Sequence, residues 1–100
     1  TPSKIIDGTA LTAEQKTELL NRLAHIEEQL RGVQKLLAQA AVPSDCDAVA
    51  QQMADARKAL DRAFVTLLTS AITTHTSTAS SMEEASTRAR TLAEMFGKFA

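Results

Sequence analysis

The chain has 100 residues, 11 Lys and Arg against 12 Asp and Glu for a formal net charge of −1 at pH 7, and one cysteine. That length suits one domain with a modest core, and the charge balance gives no bulk electrostatic pull toward nucleic acid or a membrane surface. One thiol excludes an internal disulfide and fits a reducing compartment, so the expected location is the cytoplasm.

No apolar run approaches the ~20 residues of a membrane span, and no secretory signal is visible. With three Gly, two Pro, three Phe and no Trp or Tyr, the composition favours helices and leaves Leu, Ala, Val, Ile and Met to build the core. Residues 1–11, TPSKIIDGTAL, hold Pro2 and Gly8 without sustained periodicity and read as a tail. Residues 12–100 then form a single domain.

Thr12 opens T-A-E-Q, a capping box with Gln15 at the third helical position. Apolar residues follow at Leu19, Leu23, Ile26, Leu30, Val33, Leu37 and Ala40. Steps of four and three make a heptad seam. Gly32 inside it marks either close packing or an exposed position.

The break is AAVPSDCD. Pro43 cannot continue a helix, and Ser44 is read as the N-cap of the next, with Asp45 and Asp47 as first-turn charges. A second seam runs through Cys46, Val49, Met53, Ala56, Leu60, Ala63, Leu67 and Ala71, widened by Phe64, Leu68 and Ile72. It should reach TTHTSTASS, where Thr and Ser dilute helix propensity. Ser81 and Glu84, in S-M-E-E, start a short third helix carrying Met82, Ala85, Ala89, Leu92, Met95 and Phe96, ending near Gly97.

The expected fold is therefore all-α, with two long helices and one short. The long pair forms an antiparallel hairpin. Two seams do not close a core alone, so a dimer forming a four-helix bundle is the economical solution.

Cys46 is the first candidate site residue. A lone Cys on an apolar stripe is small buried filler or a functional thiol. His75 lies 29 residues on, close to eight whole turns and roughly 43 Å along a regular helix. The two share a face but cannot meet within one chain. They meet if two copies of the helix pack antiparallel about a two-fold axis near Leu60 and Asp61. A thiolate and an imidazole are good soft-metal ligands, but two are too few for a closed site. Asp45, Asp47, the amino-terminal tail or water would complete it. An electrophile or oxidant acting on the thiol is the other chemistry. The plain alternative for His75 is a solvated residue or a charge complement at a helix end; His25 sits at the seam edge. No nucleophile-base-acid set, Gly-rich phosphate loop or H-E-x-x-H appears, so nothing supports an enzyme.

RLAHIEEQLRGVQKLL, residues 22–37, resembles the R-L-x-R-I-x-G-Q-x-x-G-I signature of the CsoR/RcnR/FrmR family of bacterial copper-, nickel/cobalt- and formaldehyde-sensing transcriptional repressors. DCDAVAQQMADARKALDRAFVTLLTSAITTH, residues 45–75, resembles that family's second-helix pattern. The resemblance implies an all-α dimer of dimers, a homotetramer whose repression of operator DNA is released when an effector binds between subunits. It matches the family's effector cysteine to Cys46, its next ligand to Ala71 and its last to His75, giving Cys-Ala-His. The implied effector is a transition metal ion (copper, nickel/cobalt or zinc) or a thiol-reactive molecule such as formaldehyde, for which Pro2 is a further site candidate. The matching DNA-contacting cations are Arg22, Arg31, Arg57, Lys58 and Arg62, while His25 and Glu28 depart from the signature. A different expectation follows from those departures: an oligomeric helical protein without DNA binding or sensing, serving as a metal buffer or hetero-oligomer partner.

Overall fold

The structure, a computed structural model, describes residues 10–99. Among these, all regular elements are helical: α1 (Ala13–Gln39), α2 (Pro43–Ser77), α3 (Met82–Phe96) and a closing 3-10 turn, Gly97–Phe99. The described residues divide into two compact units. One is Thr17–Thr66, the hairpin unit. The other takes in the residues up to Lys16 and from Leu67 onward, and is called here the α3 unit.

In the hairpin unit, α1 and α2 are joined by three residues, 40–42. The buried side chains are Leu19, Ile26 and Val33 on α1 and Val49, Ala56 and Ala63 on α2. Each set repeats every seven residues, as a heptad seam requires. The two sets are also matched about residue 41: Val33 and Val49 lie eight residues from it, Ile26 and Ala56 fifteen, Leu19 and Ala63 twenty-two. That is the register of an antiparallel hairpin. The other half of each expected seam is not buried. Leu23, Leu30 and Leu37 on α1 and Met53 and Leu60 on α2 remain substantially exposed. They repeat at the same interval, so each helix carries one buried and one uncovered row. Gly32 is one of the exposed residues, and a Cβ built on it meets nothing within 4 Å; close packing against the described residues of this chain is not its explanation.

The start of α2 differs from the expected Ser44 cap. The helix begins at Pro43, where a missing N–H costs nothing and the fixed φ suits the first turn. Asp45 then acts as the reaching-back residue. Its Oδ2 accepts from the backbone N–H of Ala41 at 3.0 Å and of Val42 at 3.1 Å. These two bonds, Ala41 first, hold its carboxyl below the ordinary 3.8.

The α3 unit is fastened by polar contacts. The Thr12 capping box forms as expected: Thr12 N–H donates to Gln15 Oε1 at 2.8 Å, and Gln15 N–H donates to Thr12 Oγ1 at 3.1 Å. Gln15 Oε1 also accepts from the buried Thr74 hydroxyl at 2.8 Å, tying the first turn of α1 to the end of α2. Ser81 caps α3, accepting from Glu84 N–H at 3.1 Å. The Glu84 carboxylate accepts from the hydroxyl and the N–H of Ser80, one residue earlier than a capping box would use. Leu92 is buried, whereas Met82, expected on the apolar stripe, is 88% exposed.

Candidate functional site

Cys46 is in the first turn of α2, one residue after the loop-binding Asp45. Its thiol is exposed, so it is not buried filler. It heads the uncovered row: Cys46, Met53 and Leu60 follow one another at seven-residue steps. Asp45 is committed to the Ala41 and Val42 amides, which leaves exposed Asp47 as the neighbouring carboxylate with no such commitment. Pro2 lies outside the described residues.

His75, in the α3 unit, is only 2% exposed, so it is not a solvated helix-end residue. Both ring nitrogens are buried without a hydrogen-bond partner. A buried polar atom left unpaired costs about 1–3 kcal/mol, and such an atom in a folded protein calls for a reason. The residues around it are well tied. Thr74 bonds to Gln15. The His75 carbonyl accepts from Arg88 Nη1 at 3.0 Å, and that same nitrogen donates to Thr78 Oγ1 at 3.1 Å. Arg88 Nη2 meets Glu84 Oε1 at 2.6 Å. Ser80 first, and Arg88 after it, hold the Glu84 carboxyl below its ordinary 4.5. Arg88 was not singled out from the sequence; its spacing of four from Glu84 was the available signal.

The orphaned imidazole fits a metal ligand in search of its ion, since an imidazole nitrogen binds through the lone pair that lacks a partner here. The described residues of one chain do not complete a site. Ala71, at the implied middle ligand position, is a buried methyl with no donor. Among the described residues no three His, Cys, Asp or Glu side chains gather as a metal site.

The five candidate DNA-contacting cations, Arg22, Arg31, Arg57, Lys58 and Arg62, all belong to the hairpin unit and are all exposed. Arg22 pairs with Glu18 at 3.0 Å, an exposed pair worth ~0.3–0.5 kcal/mol. Arg22 and Arg31 are nine residues apart, two and a half turns, and so face opposite sides of α1. Lys58 and Arg62 are one turn apart and share a face of α2. One chain therefore does not present all five to one duplex.

Residues 15–98 match the protein family described as metal-sensitive transcriptional repressor. The chain belongs to the metal-sensitive transcriptional repressor family. The match spans all three helices and both units. It makes the protein a member of a family of repressors, not of enzymes, and is consistent with an all-α chain. No curated protein and no solved structure matches the chain. No helix among the described residues is long and apolar enough to cross a membrane.

Proposed function

We propose that this repressor-family chain is an effector-responsive DNA-binding protein of the cytoplasm, built as a homodimer and assembled further into a homotetramer. Its effector site lies between subunits and joins Cys46 of one chain to His75 of the next. The observation that carries the site is His75, buried with both ring nitrogens unpaired. Two further features support it. Helix α2 runs unbroken from Pro43 to Ser77, as the shared register of the thiol and the imidazole requires. The uncovered row of Leu23, Leu30, Leu37, Met53 and Leu60 is the face on which a second hairpin closes a four-helix bundle.

With Ala71 in the middle position, the protein donors are one thiolate and one imidazole. Copper, zinc or nickel/cobalt is then completed by Asp47, the amino-terminal segment or water. The exposed thiol also suits formaldehyde, which it adds as a hemithioacetal, the thiol proton ending on the former carbonyl oxygen. Operator contact falls to Arg22, Arg31, Arg57, Lys58 and Arg62, through phosphates brought to one face by several chains.

Missing Ala71 donor chemistry also favours a second reading, a hetero-oligomer partner or metal buffer that has lost sensing. A mobility-shift assay with the DNA upstream of the gene, at low salt, separates the two. The protein is tested alone and with Cu(I), Ni(II), Zn(II) and formaldehyde, with intact mass recorded in each state. Specific binding that one effector releases is the expected result. No specific binding in any state would sink the repressor reading and leave the second.

A further inference from the structure

We propose that Arg88 is a positioning residue of the effector site: it holds the His75 ring in its buried, unpaired state. This rests on the reading of His75 as an effector ligand. Nothing in the ring's own bonding keeps it there, because neither nitrogen has a partner. The last turn of α2 is prone to fray and turn the imidazole to water, since terminal carbonyls lack intrahelical N–H partners; within the turn itself the His75 carbonyl accepts from the Thr78 hydroxyl at 3.3 Å.

Arg88 opposes that fraying from α3. One nitrogen of its guanidinium donates to the His75 carbonyl and to Thr78 Oγ1 at 3.0 and 3.1 Å. The other is fixed on Glu84 at 2.6 Å. Glu84 is itself anchored to the N–H and hydroxyl of Ser80. The Arg88 side chain is only 14% exposed, and its bonds to the His75 carbonyl and to Glu84 are partly sheltered from competing water. On the other side, Thr74 is held by Gln15. The ring-bearing residue is thus clamped at its carbonyl and at its neighbour, while neither ring nitrogen has a hydrogen-bond partner to give up. A cation with five fixed donors is suited to bridging a carbonyl, a hydroxyl and a carboxylate together.

The gain is pre-organisation. A ring held away from water has no hydration to surrender when it meets an ion. Freed, it pairs with water and binds more weakly. Groups that orient a ligand from behind commonly change metal affinity by about 10–100-fold, and an anchor at the carbonyl, one step further from the ring, belongs at or below the lower end.

The test uses the full chain with Arg88→Gln, Arg88→Lys, His75→Ala and Arg88→Gln/His75→Ala. Two readouts are taken: Zn(II) affinity against a chromophoric chelator, and the rate at which diethyl pyrocarbonate acylates each histidine, read by mass spectrometry. Exposed His25 is the internal standard. Arg88→Gln is expected to speed acylation of His75 by about tenfold, the loss of one charged hydrogen bond, with His25 unchanged. Its Zn(II) affinity falls about three- to tenfold, while the double variant binds no more weakly than His75→Ala alone. Arg88→Lys, which keeps one charged donor, recovers part of both effects and covers the case in which Arg88→Gln does not fold.

Unchanged His75 acylation in both Arg88 variants overturns the proposal. So does an equal loss of Zn(II) affinity from Arg88→Gln with and without His75, which marks a general scaffold effect. If His75→Ala binds Zn(II) like the parent, the ligand reading itself fails and the proposal with it. If His75→Ala loses affinity but Arg88→Gln does not, the proposal alone fails.

Discussion

Removing one buried and one exposed side chain from α1 distinguishes the two rows of the hairpin. Ile26 is 6% exposed, whereas Leu30, one turn on, is 49% exposed. Ile26→Ala deletes three carbons from a hairpin unit whose six buried apolar residues include two alanines. At the matching position across the hairpin stands Ala56, too small to fill the gap. The cost belongs in the middle of the range for such truncations, about 3–4 kcal/mol, with Ile26→Val at about 0.5–1.5 kcal/mol. For Leu30→Ala the intrachain cost is about 1 kcal/mol or less, since half of that side chain is already in water. Its effect belongs instead to assembly: dissociation of the oligomer should become tenfold or more easier, as for an apolar anchor at an interface. Urea unfolding by circular dichroism reads the first quantity, and sedimentation velocity over a dilution series reads the second. The reasoning fails if Leu30→Ala unfolds as easily as Ile26→Ala while its sedimentation is unchanged.

Three smaller changes test individual contacts. Thr12→Ala removes the hydroxyl that accepts from Gln15 N–H in the first capping box, keeps the backbone N–H that donates to Gln15 Oε1, and lowers stability by about 1 kcal/mol, measured by thermal unfolding; a loss of under ~0.2 kcal/mol contradicts the bonding seen at Gln15. Gly32→Ala should raise the unfolding free energy by up to ~1 kcal/mol, because its Cβ meets nothing; a loss of stability together with a shift in oligomeric state would show instead that another chain packs there. Asp45 and Glu84 have folded-state carboxyl values below the ordinary 3.8 and 4.5, so their contribution is full above those values and is lost as pH falls through the lowered ones. The thermal midpoint should drop on acidification below about pH 4, less steeply in Asp45→Asn and Glu84→Gln; a parent and variants with the same slope contradict it.

The helices were legible where local chemistry decides them. Thr12 with Gln15 and Ser81 with Glu84 mark starts in the sequence that the structure places within a residue. The α2 start was missed because Pro43 and Asp45 share the work that one cap residue usually does, and that reach backward is visible only in three dimensions. The seams were legible as periods of four and three, but the period does not say which row meets the chain's own hairpin and which waits for another. Hydropathy does not separate Ile26 from Leu30; burial does. His75 was readable as a candidate by its spacing from Cys46, yet its Thr-rich surroundings suggested solvent. Its burial depends on contacts far along the chain: Thr74 with Gln15, 59 residues away, and its own carbonyl with Arg88, 13 residues on. Ala71 was equally plain in the sequence, and its buried methyl keeps the donor set short.

The claim that Cys46 receives the effector is tested most directly by Cys46→Ala. Affinity for the upstream DNA is measured by fluorescence anisotropy for parent and variant, with and without Cu(I), Ni(II), Zn(II) and formaldehyde. The account predicts that one effector weakens DNA binding by the parent about tenfold or more, and that the variant binds DNA as tightly as the free parent but no longer responds. A Cys46→Ala protein that still releases DNA with the same effector contradicts it.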